Sequence, residues 1–159
     1  MDRDRKFLNA CERGEFNVIK AFLDSRQADY DYCWDDAIWV SIRSGHIEIV
    51  KLLLNLPEIN TDDINMAFTE ASSLGHIEII KLILSQTKVK PTNNHRVIQM
   101  AAKNGHIAIV QELSVWYHEH GYNIDNIIKI IDNKDNKIDL ADLKSYLDGL
   151  NMIKYSGRD

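Results

Sequence analysis

Along the chain, short apolar runs broken by single charges alternate with stretches that are apolar on one side only. The clearest run is Ile47-Glu-Ile-Val-Lys-Leu-Leu-Leu54. Glu48 and Lys51 lie three apart, on one side of a helix, and apolar residues fill the rest of the circumference. A helix of that kind is buried against neighbours on several sides. The stretch before it in the same unit, typified by Val97 to Lys103, is a helix apolar on one face. Between such pairs stands a glycine. Gly14, Gly45, Gly75 and Gly105 fall at spacings of 31, 30 and 30. A left-handed residue ends a helix at little cost only when it is glycine, or next best asparagine. The residue four before each glycine is small (Ala10, Ser41, Ala71, Ala101), which lets the two helices approach closely. Four matches at a near-constant period predict a stack of helix-turn-helix units.

A fifth unit follows in phase. Asn136-Lys-Ile-Asp-Leu-Ala-Asp-Leu143 overlays Gly45-His-Ile-Glu-Ile-Val-Lys-Leu52, with Ile138, Leu140, Ala141 and Leu143 in place of Ile47, Ile49, Val50 and Leu52. Its first helix is expected over roughly Asn126 to Asn133. The polar 132–137 stretch and Lys144-Ser145 suit a terminal cap, as does Met1-Asp-Arg-Asp-Arg-Lys6 at the other end, because terminal repeats meet water on one face. The expected fold is all-α: a helical solenoid of about ten helices in one domain over 1–159. Its five repeats run roughly over 3–28, 34–58, 64–88, 94–120 and 123–150, with the first and last as caps.

The Gly-His-Ile-Glu-Ile-Val-Lys-Leu-Leu-Leu run at 45–54, its partner at 75–84, Gly-His-Ile-Ala-Ile-Val at 105–110 and Ala101-Ala102 together resemble the ankyrin repeat, over about residues 3–117. The period is shorter than the family's usual 33, and no unit carries the Thr-Pro-Leu-His opening, so shortened turns between repeats are expected. The resemblance implies a protein-binding module working through the concave face of the solenoid.

Composition narrows the chemistry further. Nineteen basic residues against twenty-four acidic give a net charge of −5, which excludes a general nucleic-acid binder and an electrostatic anchor on an acidic membrane. No apolar run approaches the roughly 20 residues that span a bilayer, and no secretory signal is read at the start. Cys11 and Cys33 cannot form a disulfide framework, so reduced thiols and a cytoplasmic setting are expected. The Ile/Asn/Lys-rich composition makes the chain similar to effector-type ankyrin proteins that intracellular bacteria or large DNA viruses deliver into a host cell.

Candidate chemistry is sparse. His46, His76 and His106 recur beside the glycines. Stacked helix pairs lie about 10 Å apart, too far for two imidazoles to reach one ion at about 2.0 Å. The resemblance instead implies histidines that bond backbone across repeats. His118-Glu119-His120, near Tyr117 and Tyr122, lacks the spacing that puts two ligands on one helix face. Asp132 to Asp139 is faintly like a calcium loop, but Lys137 and Leu143 stand where glycine and the bidentate glutamate belong. Cys11 sits at a core position, and neither cysteine has an activating partner in sequence. There is no phosphate-binding glycine loop and no Gly-x-Ser-x-Gly. No enzyme activity, metal or cofactor is expected.

The aromatic group Tyr30, Tyr32, Trp34 and Trp39 is the strongest surface candidate, with Asp35 and its neighbours around it. Trp39 is six before Gly45, where the next repeats have Thr69 and Gln99, so the slot is not core. The partner-binding surface is expected to add Arg43, Ser44, Asp62, Asp63, Ser73, Leu74, His95, Arg96, Lys103 and Asn104, from the turns and last helical turns of the first helices. A protein partner and a monomer are expected. The alternative is a small-ligand- or metal-binding protein, or an enzyme, using the 117–139 region.

Overall fold

The computed structural model describes residues 2–25, 34–86, 95–121, 124–131 and 137–156. Ten α-helices occur among them and no strand. They are α1 Asp2–Arg13, α2 Phe16–Asp24, α3 Trp34–Arg43, α4 Ile47–Leu54, α5 Thr61–Leu74, α6 Ile77–Leu84, α7 His95–Asn104, α8 Ile107–Glu119, α9 Ile124–Ile131 and α10 Leu140–Ser156. The all-helical reading of the sequence holds. Tyr30, Tyr32, Cys33 and residues 132–136 lie outside the described residues.

Each first helix ends as its glycine requires. Gly45 has φ +74, and its N–H donates to the Ile42 carbonyl at 3.0 Å, while the His46 N–H donates to Ser41 at 3.0 Å. These are the paired bonds that close a helix C-terminus around a left-handed residue. The carbonyl of the small residue four before the glycine is thus the acceptor that ends the helix. Glu15 to Ala10 and His106 to Ala101 repeat that bond at 2.9 Å each.

The second helices bury what their pattern predicts. In α4, Ile49, Val50, Leu53 and Leu54 are buried, and Glu48 and Lys51 are exposed. The entry to α5 is fixed differently. The Asn60 side-chain oxygen accepts from the Asp62 and Asp63 N–H groups at 2.8 and 3.0 Å, and the Asn60 N–H returns to the Asp63 carboxylate at 3.4 Å. This reciprocal box satisfies N–H groups that a helix start leaves without a partner.

The chain divides into two compact units, Met1–Ala71 with Glu78–Lys90, and Ser72–Ile77 with Pro91–Asp159. In the first, α1 packs on α2 and α3, and α4 on α2 and α3, around Phe7, Cys11, Ile19, Ile38, Ile42 and Leu53. In the second, α7 packs on α8 and α9, and α10 closes over α8 and α9. There Ile127, Ile131, Leu143 and Leu147 join Ile98, Ile109 and Leu113 in the core.

This C-terminal pair departs from the expected register. The helix α9 starts two residues before Asn126. The helix α10 starts at Leu140 rather than at Ile138, because the Asp139 carboxylate accepts the Ala141 N–H at 2.8 Å and caps the helix there. Ala141 is therefore exposed where Val50 is buried, and Leu143 and Leu147 become the buried pair.

Candidate interaction surface

Two of the three repeat histidines, His46 and His106, brace the stack, each within its own unit. The His46 Nε2–H donates to the Glu12 carbonyl at 2.9 Å, and the His106 Nε2–H to the Ser73 carbonyl at 3.0 Å. Each imidazole is thereby committed to backbone of the preceding repeat. The first-helix faces hold most of the surface candidates read from the sequence.

In the first unit, α3 presents that face. Asp35 and Asp36 are exposed in its first turn, and Arg43 and Ser44 are exposed at its end. Trp39 is half-buried, and the Arg43 guanidinium lies over its ring at 5.0 Å from the centroid. A cation on an aromatic face is attracted by the ring quadrupole, by about 0.5–1 kcal/mol at an exposed site. Trp34 is half-buried too, edge-on to buried Phe7 at 5.7 Å. Asp62 is exposed at the start of α5, whereas Asp63 is half-buried in the capping box.

In the second unit, Ser73 and Asn104 come together, the Asn104 amide donating to the Ser73 hydroxyl at 3.2 Å and to the Met100 carbonyl at 2.9 Å. Arg96 and Lys103 are exposed seven residues apart, on one face of α7, which begins at His95. Leu74 is 42% exposed.

Three exposed large apolar residues, Phe16, Val18 and Met66, were not among the candidates. Met66 is 68% exposed, at a slot that is charged in the sister repeats as Arg5, Asp36 and Arg96. Comparing that slot across repeats would have found Met66.

The His120 ring stacks on Trp116 at 3.8 Å, and its Nδ1–H donates to the Trp116 carbonyl at 2.7 Å. Among the described residues, no group of three or more His, Cys, Asp or Glu could hold a metal ion. Cys11 is fully buried, and that burial pushes its thiol up to about 11 against a weaker opposing hydrogen bond from Ser41. A thiol held neutral is a poor nucleophile. A groove of about 410 Å³ opens between the starts of α2 and α4, lined by Phe16, His46, Ile47, Glu48 and Ile49. Its imidazole is already bonded to Glu12. No described helix is long and apolar enough to cross a membrane.

A family model for ankyrin repeats in three copies matches residues 39–127, more than half of the chain. The chain belongs to the ankyrin repeat family. No curated protein and no solved structure matches it. Ankyrin repeats are generally protein–protein interaction modules and typically non-catalytic, and the matched span covers α4 to α8 in full.

Proposed function

We propose that this ankyrin protein is a non-catalytic module that binds a partner protein through its first-helix ends, the concave face of such arrays, with Trp39 as anchor. The observation that carries this reading is the half-buried Trp39 ring under Arg43, at a slot the next two repeats fill with Thr69 and Gln99. Tryptophan and arginine are enriched among residues that dominate binding energy. The exposed acids Asp35, Asp36 and Asp62 give that face a partner preference for basic or polar-aromatic surfaces. The likeness to effector-type ankyrin proteins extends the proposal to a cytoplasmic, host-cell partner.

The test is affinity capture with the wild-type chain and with Trp39→Thr, followed by titration of the captured partner. An anchor predicts a loss of affinity of about 30-fold or more, about 2 kcal/mol. The melting free energy should fall by no more than about 1 kcal/mol, the scale of the exposed cation–π contact. A large stability loss with unchanged affinity would reassign Trp39 to packing.

A further inference from the structure

One short pattern opens two successive first helices. Asp35 and Asp36 are followed one turn on by Trp39 in α3, and Asp62 and Asp63 by Met66 in α5. Residues three and four apart share a helix face, so each large side chain stands beside a pair of carboxylates. One turn further on come Arg43 and Glu70. The helix α3 and residues 61–71 belong to the same compact unit.

Met66 is 68% exposed, so the fold gains little from its apolar surface. Its slot holds Arg5, Asp36 and Arg96 in the sister repeats, so the array has no need of an apolar residue there. Methionine is unbranched and polarizable, and surfaces that adapt to an apolar partner use it heavily.

The charge around it has largely one sign. Together α3 and α5 contain five acidic side chains and one basic, Arg43, whose guanidinium already lies over Trp39. None of the five carboxylates is ion-paired among the described residues. Asp35, Asp36 and Asp62 are exposed, and Asp63 and Glu70 are half-buried. On α1, which packs against α3, the slot of Asp36 is the exposed Arg5, and there the acidic surface ends.

Resting on the reading of Trp39 as an anchor, we propose that the partner docks a basic amphipathic helix across α3 and α5. One of its apolar side chains meets Trp39, a second, seven residues away, meets Met66, and lysine or arginine beside them faces the carboxylates. The spacing selects a helix. First helices of stacked repeats lie about 10 Å apart. Met66 is nine before its glycine and Trp39 six, which adds about 4.5 Å along the axis and sets the two about 11 Å apart. Residues i and i+7 of a helix share a face and lie about 10.5 Å apart. On one face of an extended strand the steps are about 6.6 and 13 Å, and neither fits. The charge selects basic residues. A second copy of this face would set carboxylates against carboxylates, and an anionic membrane surface is repelled.

Fluorescence anisotropy with the full chain tests the proposal. The probe is a labelled Leu/Lys peptide of about 18 residues, about five turns, with its leucines on one face at i, i+3, i+4 and i+7. Two controls share its length: the same pattern with glutamate for lysine, and the same composition with the leucines spread around the helix. Expected is reversible binding of the patterned Lys peptide with a Kd below about 100 µM, weaker by at least about tenfold for both controls. Met66→Gln should weaken it about tenfold, and Asp62→Asn with Glu70→Gln about fivefold, the second effect fading toward about 1 M salt. Asp142→Asn with Asp148→Asn, exposed on α10, should change nothing. Each change is close to isosteric, so circular dichroism should be unchanged. A Kd above about 100 µM for the patterned peptide overturns the proposal, as does equal binding of either control or indifference to Met66→Gln. A captured partner that needs Trp39, with no peptide binding, leaves the anchor standing and removes the basic helix. The anchor fails on its own when a captured partner ignores Trp39→Thr while the peptide still binds in a Met66-dependent way.

Discussion

At Gly75 the chain needs two things from one residue. The backbone is left-handed, with φ +84, and a Cβ built there would lie 2.7 Å from His106 Cε1 and 2.8 Å from Nδ1. Any side chain, asparagine included, must push the imidazole that donates to the Ser73 carbonyl. Gly105 has nearly the same φ, +83, but its Cβ would meet only Lys137 Cβ at 3.4 Å, an ordinary contact. Asparagine tolerates the left-handed region and so relieves the backbone cost at both sites. The steric cost remains at Gly75 alone. Gly75→Asn should therefore cost at least about 1 kcal/mol more than Gly105→Asn, the scale of one lost hydrogen bond. Urea denaturation of the two variants measures the gap, and equal midpoints would show that the imidazole moves aside freely. From sequence alone asparagine is expected to be milder than valine at Gly75, because the pattern shows the helix stop but not the ring behind it.

Cys11 gives a pH dependence with a definite sign. Its thiol is raised from 9.0 to about 11 by burial. The folded state then holds its proton over a range in which the unfolded chain has released it. Stability from this group is full below about pH 9 and falls as pH rises toward about 11. Two pKa units correspond to about 2.7 kcal/mol, most of it lost by about pH 10.5. Between pH 8 and that value, wild type should lose about 2 kcal/mol more than Cys11→Ala does. Parallel pH profiles for the two proteins would mean that the thiol ionises without disturbing the core.

At the scale of elements, the inner repeats were legible because two local rules coincide. A glycine is needed where the helix ends left-handed, and the histidine after it reaches a backbone carbonyl in two of the three, His46 to Glu12 and His106 to Ser73, while the His76 Nε2 is buried with no hydrogen-bond partner among the described residues. Both rules are written in residues a few positions apart. The C-terminal pair α9 and α10 breaks them. A capping aspartate, Asp139, delays α10 to Leu140, and from there the overlay on α4 slips. The slip was invisible in the pattern because Ala141 and Leu143 are apolar in either register. The surface candidates were less legible still. Only packing distinguishes Trp34, set against Phe7, from Trp39, set under Arg43. The corrected register has a consequence that can be measured. Leu147→Ala should cost about 2–5 kcal/mol, as for a buried leucine, while Ala141→Ser should stay within about 0.5 kcal/mol. If Ala141→Ser proved the more damaging change, the sequence overlay would be right and the capped start at Asp139 wrong.

Over the whole molecule, the first helices do not share the net charge of −5 evenly. The helix α5 contains Asp62, Asp63 and Glu70 and no basic residue, and α3 begins with Asp35 and Asp36. The helix α7 contains Arg96 and Lys103 and no acid. Exposed charges of one sign act on an approaching partner over about a Debye length, about 8–10 Å at physiological salt, and so set association rates more than residence times. For a basic partner of the Trp39 face, Asp35→Lys with Asp36→Lys takes the chain from −5 to −1 and reverses the sign beside the anchor. Association at low salt should slow by about tenfold, with dissociation changed far less. Arg96→Glu with Lys103→Glu adds negative charge on α7 and should leave association unchanged or faster. Both effects should fade as salt approaches about 1 M, where the Debye length is about 3 Å. Stopped-flow or surface-based kinetics on the captured partner reads all three quantities. An association rate indifferent to charge reversal and to salt would remove the α3 face from recognition. A loss carried wholly by faster dissociation would instead make Asp35 and Asp36 direct, desolvated contacts.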